Sequence, residues 1–202
     1  MKSGAIPLER WSDEMTGSSQ PAYHDLIAEL SFAGFRSLVR DKISPTEEWR
    51  PSEEDVECAL NVMSVIRGAR LNREKVDSGM LEDASVLVHR LHAHLQFRLG
   101  ELTFQPRLRG FGNLASCHPD LMTSEGVIEL KTSAYPLRVE DFRQVLLYSF
   151  LCGENGVMDS TFSLVNPRLG ISVVMETDHF CELFSAGSKS SVFNRLREQL
   201  SS

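Results

Sequence analysis

The sequence predicts an α/β (or α+β) domain in which helices flank a mixed central sheet. Three features indicate this fold class: apolar residues at helical spacing early in the chain, alternating apolar and polar residues later, and a helical segment between two groups of strands. The 202 residues suit one domain with a small accessory lobe. The composition, 42% hydrophobic and 24% charged, is ordinary for a globular protein.

Composition and periodicity divide the chain into three parts. Residues 1–20 are polar and include several serines and glycines, so we expect a flexible arm. Residues 21–80 are expected to form an N-terminal helical lobe. Residues 81–202 contain the strand patterns and are expected to form the main domain.

Three helices are predicted before the first strand. The first covers residues 22–40, with a break expected at Gly34. The second begins after Ser52, whose hydroxyl suits an N-cap, and ends near Gly68. The third covers about residues 82–98.

The remainder of the chain combines strand and helix patterns. Serine, glycine, asparagine and proline mark the turns between the strands. The predicted strands are 101–108, 114–122, 127–130, 161–165 and 171–175, and the predicted helices are 141–151, 177–186 and 190–200.

Charge and targeting patterns narrow the classes of function. The net charge of −7 argues against a protein that coats nucleic acid non-specifically, but it is compatible with a carboxylate site beside a local basic strip. The sequence contains no run of about 18 apolar residues, so no membrane association is expected. The N-terminus lacks the apolar segment of a secretory signal. The cysteines have no C-x-x-C spacing, so we expect reduced thiols in an intracellular protein, cytoplasmic or nuclear.

Two acidic residues and a lysine form the most informative pattern, P-D-x8-E-x-K. Asp120 follows Pro119, while Glu129 and Lys131 end a short apolar run. Because strand side chains alternate, Glu129 and Lys131 share one face and Leu130 points into the core. A hairpin between the two strands would bring Asp120 beside Glu129. Two carboxylates suit Mg²⁺, which keeps several waters, and the Leu130 carbonyl is a further candidate ligand.

A second polar pair follows on the next helix. Gln144 and Tyr148 are four residues apart and therefore share one helical face. Their amide and hydroxyl groups suit contact with a phosphate or bracing of the carboxylates. The ammonium group of Lys131 would orient a water or stabilise charge in the transition state.

P-D-x8-E-x-K followed by Q-x3-Y resembles the PD-(D/E)xK nuclease superfamily, in particular its RecB-type, lambda-exonuclease-type and Cas4-like branch. The resemblance covers roughly residues 83–176 and marks residues 81–202 as a nuclease-like core. It implies a restriction-endonuclease-like fold with a mixed sheet of four or five strands. It also implies Mg²⁺ or Mn²⁺ as cofactor and DNA as the usual substrate. The clustered iron–sulfur cysteines of Cas4-like proteins are missing from this sequence, so that cluster is not carried over.

The resemblance also implies roles for individual residues. It makes Asp120 and Glu129 metal ligands and Lys131 the catalytic lysine, and it assigns Gln144 and Tyr148 to the additional helix motif of this branch.

An upstream histidine or glutamate often completes the metal site in this branch. His89 fits that pattern best, His92 comes next, and Glu101 is the carboxylate alternative. Imidazole is a softer ligand than Mg²⁺ prefers, which would favour Mn²⁺. Four arginines near the motif are candidate phosphate contacts, because guanidinium forks fit phosphate oxygens. These are Arg107, Arg109, Arg138 and Arg143.

The sequence therefore predicts a metal-dependent nuclease, endonuclease or exonuclease, that acts on DNA. Two alternatives stay open. The fold could serve as a non-catalytic module that binds nucleic acid or protein in a recombination, repair or defence complex, or the chain could be a cap-snatching-type RNA endonuclease. No G-x4-G-K-[ST] motif is present, so helicase or targeting functions would come from a protein partner. The positions of Asp120, Glu129 and Lys131 would distinguish the DNA nuclease from the non-catalytic module, because scattered side chains would support the latter.

Overall fold

The structure is a computed structural model that describes residues 6–15, 23–68, 70–157, 160–185 and 187–201. Within them the chain forms six α-helices and six strands. The elements are β1 (Leu8–Arg10), α1 (His24–Asp41), α2 (Glu53–Arg67), α3 (Ser78–Leu95), β2 (Thr103–Phe104), β3 (Leu121–Met122), β4 (Gly126–Leu130), α4 (Val139–Glu154), β5 (Thr161–Asn166), β6 (Ile171–Glu176), α5 (Thr177–Ser185) and α6 (Lys189–Leu200).

One mixed sheet contains all six strands in the order β1-β6-β5-β4-β3-β2. Strands β4 and β5 are parallel, and the other neighbours are antiparallel. The parallel pair is joined through α4, because parallel strands need a crossover connection. The expected α/β class with a mixed sheet is thus confirmed, although the sheet has one strand more than the four or five expected.

The additional strand lies in the segment expected to be a flexible arm. Leu8–Arg10 pairs with β6 at the edge of the sheet, with Leu8 opposite Val173. The Trp11 amide continues this contact by donating to the Gly170 carbonyl at 2.8 Å. Main-chain hydrogen bonds hold β1, and its three side chains are exposed. The sequence therefore has no apolar alternation here from which a strand could be predicted. Residues 1–5 and 16–20 of the expected arm lie outside the described residues.

The first three helices largely follow their sequence signals. Helix α2 has the expected N-cap, and Ser52 and Asp55 form a reciprocal capping box. Helix α3 begins four residues earlier than expected, because the Asp77 carboxylate accepts from the Met80 amide at 2.8 Å. Helix α1 continues through Gly34 without a break. A glycine is required there by packing.

Two predicted strands are much shorter than expected. Only Thr103–Phe104 and Leu121–Met122 pair as β2 and β3. Gln105 has a φ of 45°, which takes the backbone out of the extended conformation and ends the ladder. Beyond it, isolated bridges such as Leu108 to Cys117 hold the two arms of the hairpin together.

Helices cover both faces of the sheet. On one face, α1 and α3 pack Phe35, Val88 and Leu91 against strand residues such as Ile128. On the other, α4, α5 and α6 pack against Val127 and its neighbours. The alternation along β4 sends adjacent residues into different layers. None of the described helices is long and apolar enough to cross a membrane.

Two helical glycines give a matched test of this packing. A Cβ on Gly34 would lie 2.5 Å from Cη2 of Trp49, whereas a Cβ on Gly153 would lie 3.8 Å from Phe193. Glycine to alanine in an open helix stabilises by up to about 1 kcal/mol. We therefore expect Gly153→Ala to raise the free energy of unfolding, and Gly34→Ala to lower it by about 1–3 kcal/mol through overpacking. Urea denaturation measures both, and an equal gain at both positions would contradict the tight contact with Trp49.

Candidate active site

Glu129 is a buried carboxylate at the end of β4. Its relative exposure is 5%, and its side chain lies on the α4 side of the sheet. Oε1 accepts hydrogen bonds from Lys131 Nζ at 3.0 Å and from Gln144 Nε2 at 2.7 Å. A buried charge is costly unless it is paired and hydrogen-bonded, and both conditions are met here. The expected shared face of Glu129 and Lys131 is therefore present.

Gln144 connects this ion pair to Tyr148. Its Oε1 accepts from Lys131 Nζ at 2.7 Å, and its Nε2 also donates to the Tyr148 hydroxyl at 2.7 Å. The four-residue spacing on α4 makes the second contact possible. Burial, and then the charge of Glu129, raises the pKa of Tyr148 to about 12, so the hydroxyl keeps its proton at neutral pH. Lys131, Glu129, Gln144 and Tyr148 thus form one hydrogen-bonded chain, which we call the β4–α4 network.

Asp120 lies beside this network at the start of β3. Its Oδ2 accepts from the Leu130 amide at 2.8 Å, and its own amide faces Glu129 Oε2 at 3.5 Å. Burial and the neighbouring charge of Glu129 raise the pKa of Asp120 to about 7. The Leu130 amide and Lys131 act in the opposite direction and are outweighed. Two adjacent carboxylates in such surroundings favour either a proton or a cation.

A small cavity of about 80 Å³ opens beside Asp120 on the α1 side of the sheet. Glu29 of α1, Gln105, Leu130 and Thr132 also line it. Burial, and then the charge of Asp25, raises the pKa of Glu29. Glu29 is an acidic side chain of this site that the sequence analysis missed. The available signal was an acidic residue on a helix with an apolar stripe, although that helix was expected to belong to a separate lobe.

The predicted upstream ligands do not join the carboxylates. The His89 ring lies against Trp49, with the ring centroids 6.5 Å apart. His92 lines a different cavity, together with Arg36, and Glu101 is exposed in a short 3₁₀ helix. Among the described residues no group of three or more His, Cys, Asp or Glu side chains is arranged to hold a metal ion. The cause is the rotation of α3, which presents other residues to the sheet.

The four candidate arginines fall into two groups at opposite ends of α4. Arg138 is the N-cap residue, and Arg143 is exposed one turn later. Arg107 and Arg109 are exposed in the hairpin beyond β2, where the main chain of Arg109 bonds to the side chain of Asn155. Asn155 follows the last residue of α4, a helix of 16 residues and therefore about 24 Å long. The four arginines therefore do not form one strip around Asp120.

Two buried residues of the β5–β6 turn hold the connection that follows β4. Asn166 Nδ2 donates to the Ser133 carbonyl at 2.9 Å, and Arg168 Nε donates to the Thr132 carbonyl at 2.8 Å. Asn166 has 0% and Arg168 3% relative exposure. The sequence of this segment predicts only a turn. It also fixes the chain between Lys131 and α4, and so sets the distance from Lys131 to Gln144.

Asp120→Asn should stabilise the metal-free protein above neutral pH but not in acid. The pKa of Asp120 is about 7 in the folded protein and about 3.9 in an unfolded chain. Between these values the unfolded state binds fewer protons than the folded state, so wild-type stability falls as pH rises. Asparagine has no such titration and keeps an acceptor for the Leu130 amide.

Thermal melting in EDTA at several pH values measures this effect. The melting temperature of the variant minus that of wild type should grow from about pH 4 to about pH 7 and then level off. Asp13→Asn, at an exposed site, is the control and should give no such rise. A constant difference across the pH range would show that Asp120 is not held in the protonated form.

Comparison with protein-family models, with curated proteins and with solved structures finds no match for this chain. Any functional assignment therefore depends on the motif and on the geometry of the site.

Proposed function

We propose that this chain is a metal-dependent nuclease that hydrolyses phosphodiester bonds of DNA. One observation carries the proposal: the β4–α4 network lies directly beside Asp120, so two carboxylates, a lysine and an amide meet at one point of the sheet, and Asp120 also lines a cavity there. The non-catalytic alternative expects these side chains to be scattered. Their clustering favours catalysis.

Asp120 and Glu129 fit a hard divalent cation. Burial, and then the charge of Glu129, raises the pKa of Asp120, and a bound cation would relieve the repulsion between the two carboxylates. Mg²⁺ needs one or two carboxylates and completes its shell with waters and substrate oxygens, so two protein carboxylates are sufficient. The Leu130 carbonyl is the proposed further ligand. When bound, Mg²⁺ or Mn²⁺ would neutralise phosphate oxygens and lower the pKa of an attacking water.

Lys131 would act on the same phosphate. Its side chain is 22% exposed, so it is partly desolvated yet accessible. Gln144 and Glu129 fix its position, and Asp141 lies 3.6 Å away on the first turn of α4. A preorganised cation at this point can orient a water or stabilise negative charge on the phosphate in the transition state. Tyr148, with its proton retained, holds Gln144 in place.

The arrangement of the strands supports the restriction-endonuclease-like fold that the motif implies. Antiparallel strands β2, β3 and β4 are followed by the crossover helix α4 and the parallel strand β5. The acidic residues lie at the point where β3 and β4 pair. DNA is the preferred substrate because the Gln144–Tyr148 helix motif resembles that of DNA-cleaving members. Arg138 and Arg143 lie at the end of α4 nearest Lys131 and remain the proposed phosphate contacts.

The decisive test is cleavage of linear and circular DNA by the purified chain with Mg²⁺ or Mn²⁺. Wild type should cleave, while Lys131→Met should lose about 10²–10³-fold in rate, the usual effect of removing one preorganised electrostatic group. Asp120→Asn should also lose activity, and calorimetry should show weaker metal binding. Lys75→Met removes an exposed lysine far from the motif and should retain full activity.

Three results would count against the proposal or change it. A wild-type protein that neither cleaves DNA or RNA nor binds either metal by calorimetry would rule out the enzymatic role. Full activity in Lys131→Met would rule out the β4–α4 network as the site. Exclusive cleavage of single-stranded RNA would support the RNA endonuclease alternative.

A further inference from the structure

A second, larger cavity lies near the C-terminal end of α1. Its volume is about 590 Å³, and it is bounded by α1, by His92 of α3 and by the segment 99–104. Its lining is mostly apolar and includes Leu38, Leu102 and Phe104. Cationic groups stand among these residues. A flat apolar surface beside cations suits a ligand that combines a ring with a negative charge.

Arg36 and Lys42 are the cations that this cavity leaves available. Neither forms an ion pair with a carboxylate in the part of the chain that the structure describes. Arg36 donates one N–H to Cys58 Sγ at 2.9 Å and keeps its other donors. Arg40 also lines the cavity, but it forms an ion pair with Asp41 at 2.8 Å, so it is not one of the available cations.

The backbone at Lys42 is in the left-handed region, with φ 55° and ψ 40°. This position after a helix usually holds glycine, and other residues pay about 1 kcal/mol or more for the conformation. The neighbouring Ile43 leaves 52% of its surface exposed at the same rim. Strained conformations persist where the surrounding structure holds them, and they concentrate at binding sites. Here the strain places a lysine at the rim of the cavity.

The two cavities are neighbours. Leu91 of α3 lines the cavity beside Asp120, and the next residue, His92, lines the larger cavity. In the same way, Gln105 lines the cavity beside Asp120, and the preceding residue, Phe104 of β2, lines the larger one. Along α1, Glu29 lines the first cavity and Arg36 the second. Seven residues of helix separate them, which is about 10 Å.

We propose that the larger cavity is a nucleotide subsite, in which a base rests on the apolar surface near Phe104 and its phosphate contacts Arg36 and Lys42. This inference rests on the proposed nuclease function and names the path of the substrate strand. At about 3.4 Å per stacked nucleotide, three nucleotides cover the distance from Glu29 to Arg36. A strand cleaved beside Asp120 would therefore extend along α1 into this cavity.

Binding of a short single strand tests the subsite without cleavage. Anisotropy of fluorescein-labelled thymidine tetranucleotide is measured with the full chain in EDTA. Arg36→Met/Lys42→Met should weaken binding at least tenfold. The slope of log K against log salt should fall by about 1.4, since each lost contact removes about 0.7 for a single strand. Arg67→Met/Lys75→Met removes the same charge at two exposed positions outside both cavities and should leave binding by this short strand unchanged.

A third variant tests the apolar surface. Ile43→Ser removes apolar surface at an exposed position without adding charge, so the fold should be retained while binding falls. Thymidine monophosphate should displace the tetranucleotide at least ten times more effectively than inorganic phosphate or thymidine alone. Equal displacement by inorganic phosphate would reveal an anion site without base recognition and overturn the proposal.

The outcomes separate this inference from the nuclease proposal. If wild type cleaves DNA but Arg36→Met/Lys42→Met binds and cleaves like wild type, the subsite is wrong and the nuclease proposal stands. If the tetranucleotide binds through Arg36 and Lys42 but no nucleic acid is cleaved with either metal, the nuclease proposal fails and the subsite stands as a binding site. If wild type neither binds nor cleaves, both are wrong.

Discussion

The parallel pairing of β4 with β5 is the constraint on which the candidate site depends. Five residue pairs, from Gly126–Thr161 to Leu130–Val165, form this ladder inside an otherwise antiparallel sheet. Two parallel strands cannot be joined by a tight turn, so the chain must cross one face of the sheet. That crossing is α4. Its packing through Val145 and Phe150 brings Gln144 against Glu129. Without the parallel pair, no crossover helix would be needed to bring Gln144 into contact with Lys131.

The burial of Glu129 then determines the chemistry of its neighbours. The buried carboxylate takes its hydrogen bonds from Lys131 and Gln144 through a single oxygen, Oε1. Asp120 lies beside the other oxygen, and its Oδ2 accepts from the Leu130 main-chain amide. Burial, and then the charge of Glu129, raises the pKa of Asp120 to about 7. The charge of Glu129 is paired and hydrogen-bonded, whereas the charge of Asp120 is opposed at neutral pH by burial and by Glu129. A divalent cation would stabilise two carboxylates in this arrangement.

Local patterns predicted the parts of the site that share one element. Strand alternation placed Glu129 and Lys131 on one face, and helical spacing joined Gln144 to Tyr148; both relations are present in the structure. The missed residues come from elsewhere in the chain. Glu29 is 91 positions from Asp120, and the contact depends on how α1 lies across the sheet, which no local pattern records. His89 had a suitable residue type, but the rotation of α3 turns it toward Trp49.

The same limit explains the differences in the fold. Strand β1 is held by main-chain bonds and carries no apolar alternation, so its sequence resembles an arm. Apolar and polar residues alternate over longer stretches around β2 and β3 than the two strands pair. The pairing ends because Gln105 adopts a positive φ, which a glutamine does not predict. Helix α1 continues through Gly34, where tertiary contact with Trp49 overrides the usual cost of glycine in a helix. Caps and periodicity are local and were predictable, whereas pairings between distant segments were not.

The two faces of the sheet have different roles at the site. On the α4 side, Gln144 and Tyr148 fill the space around Glu129, which is only 5% exposed, while the side chain of Lys131 stays 22% exposed. On the α1 side, the cavity beside Asp120 lies next to the larger cavity that Arg36 and Lys42 line. Asp120 lies at the boundary and touches both. Under the proposed function, the phosphate lies at this boundary, between Asp120 and Lys131, and the strand continues toward the α1 side. Arg36 and Lys42 would then guide the strand, and the β4–α4 network would hold Lys131 in place from behind.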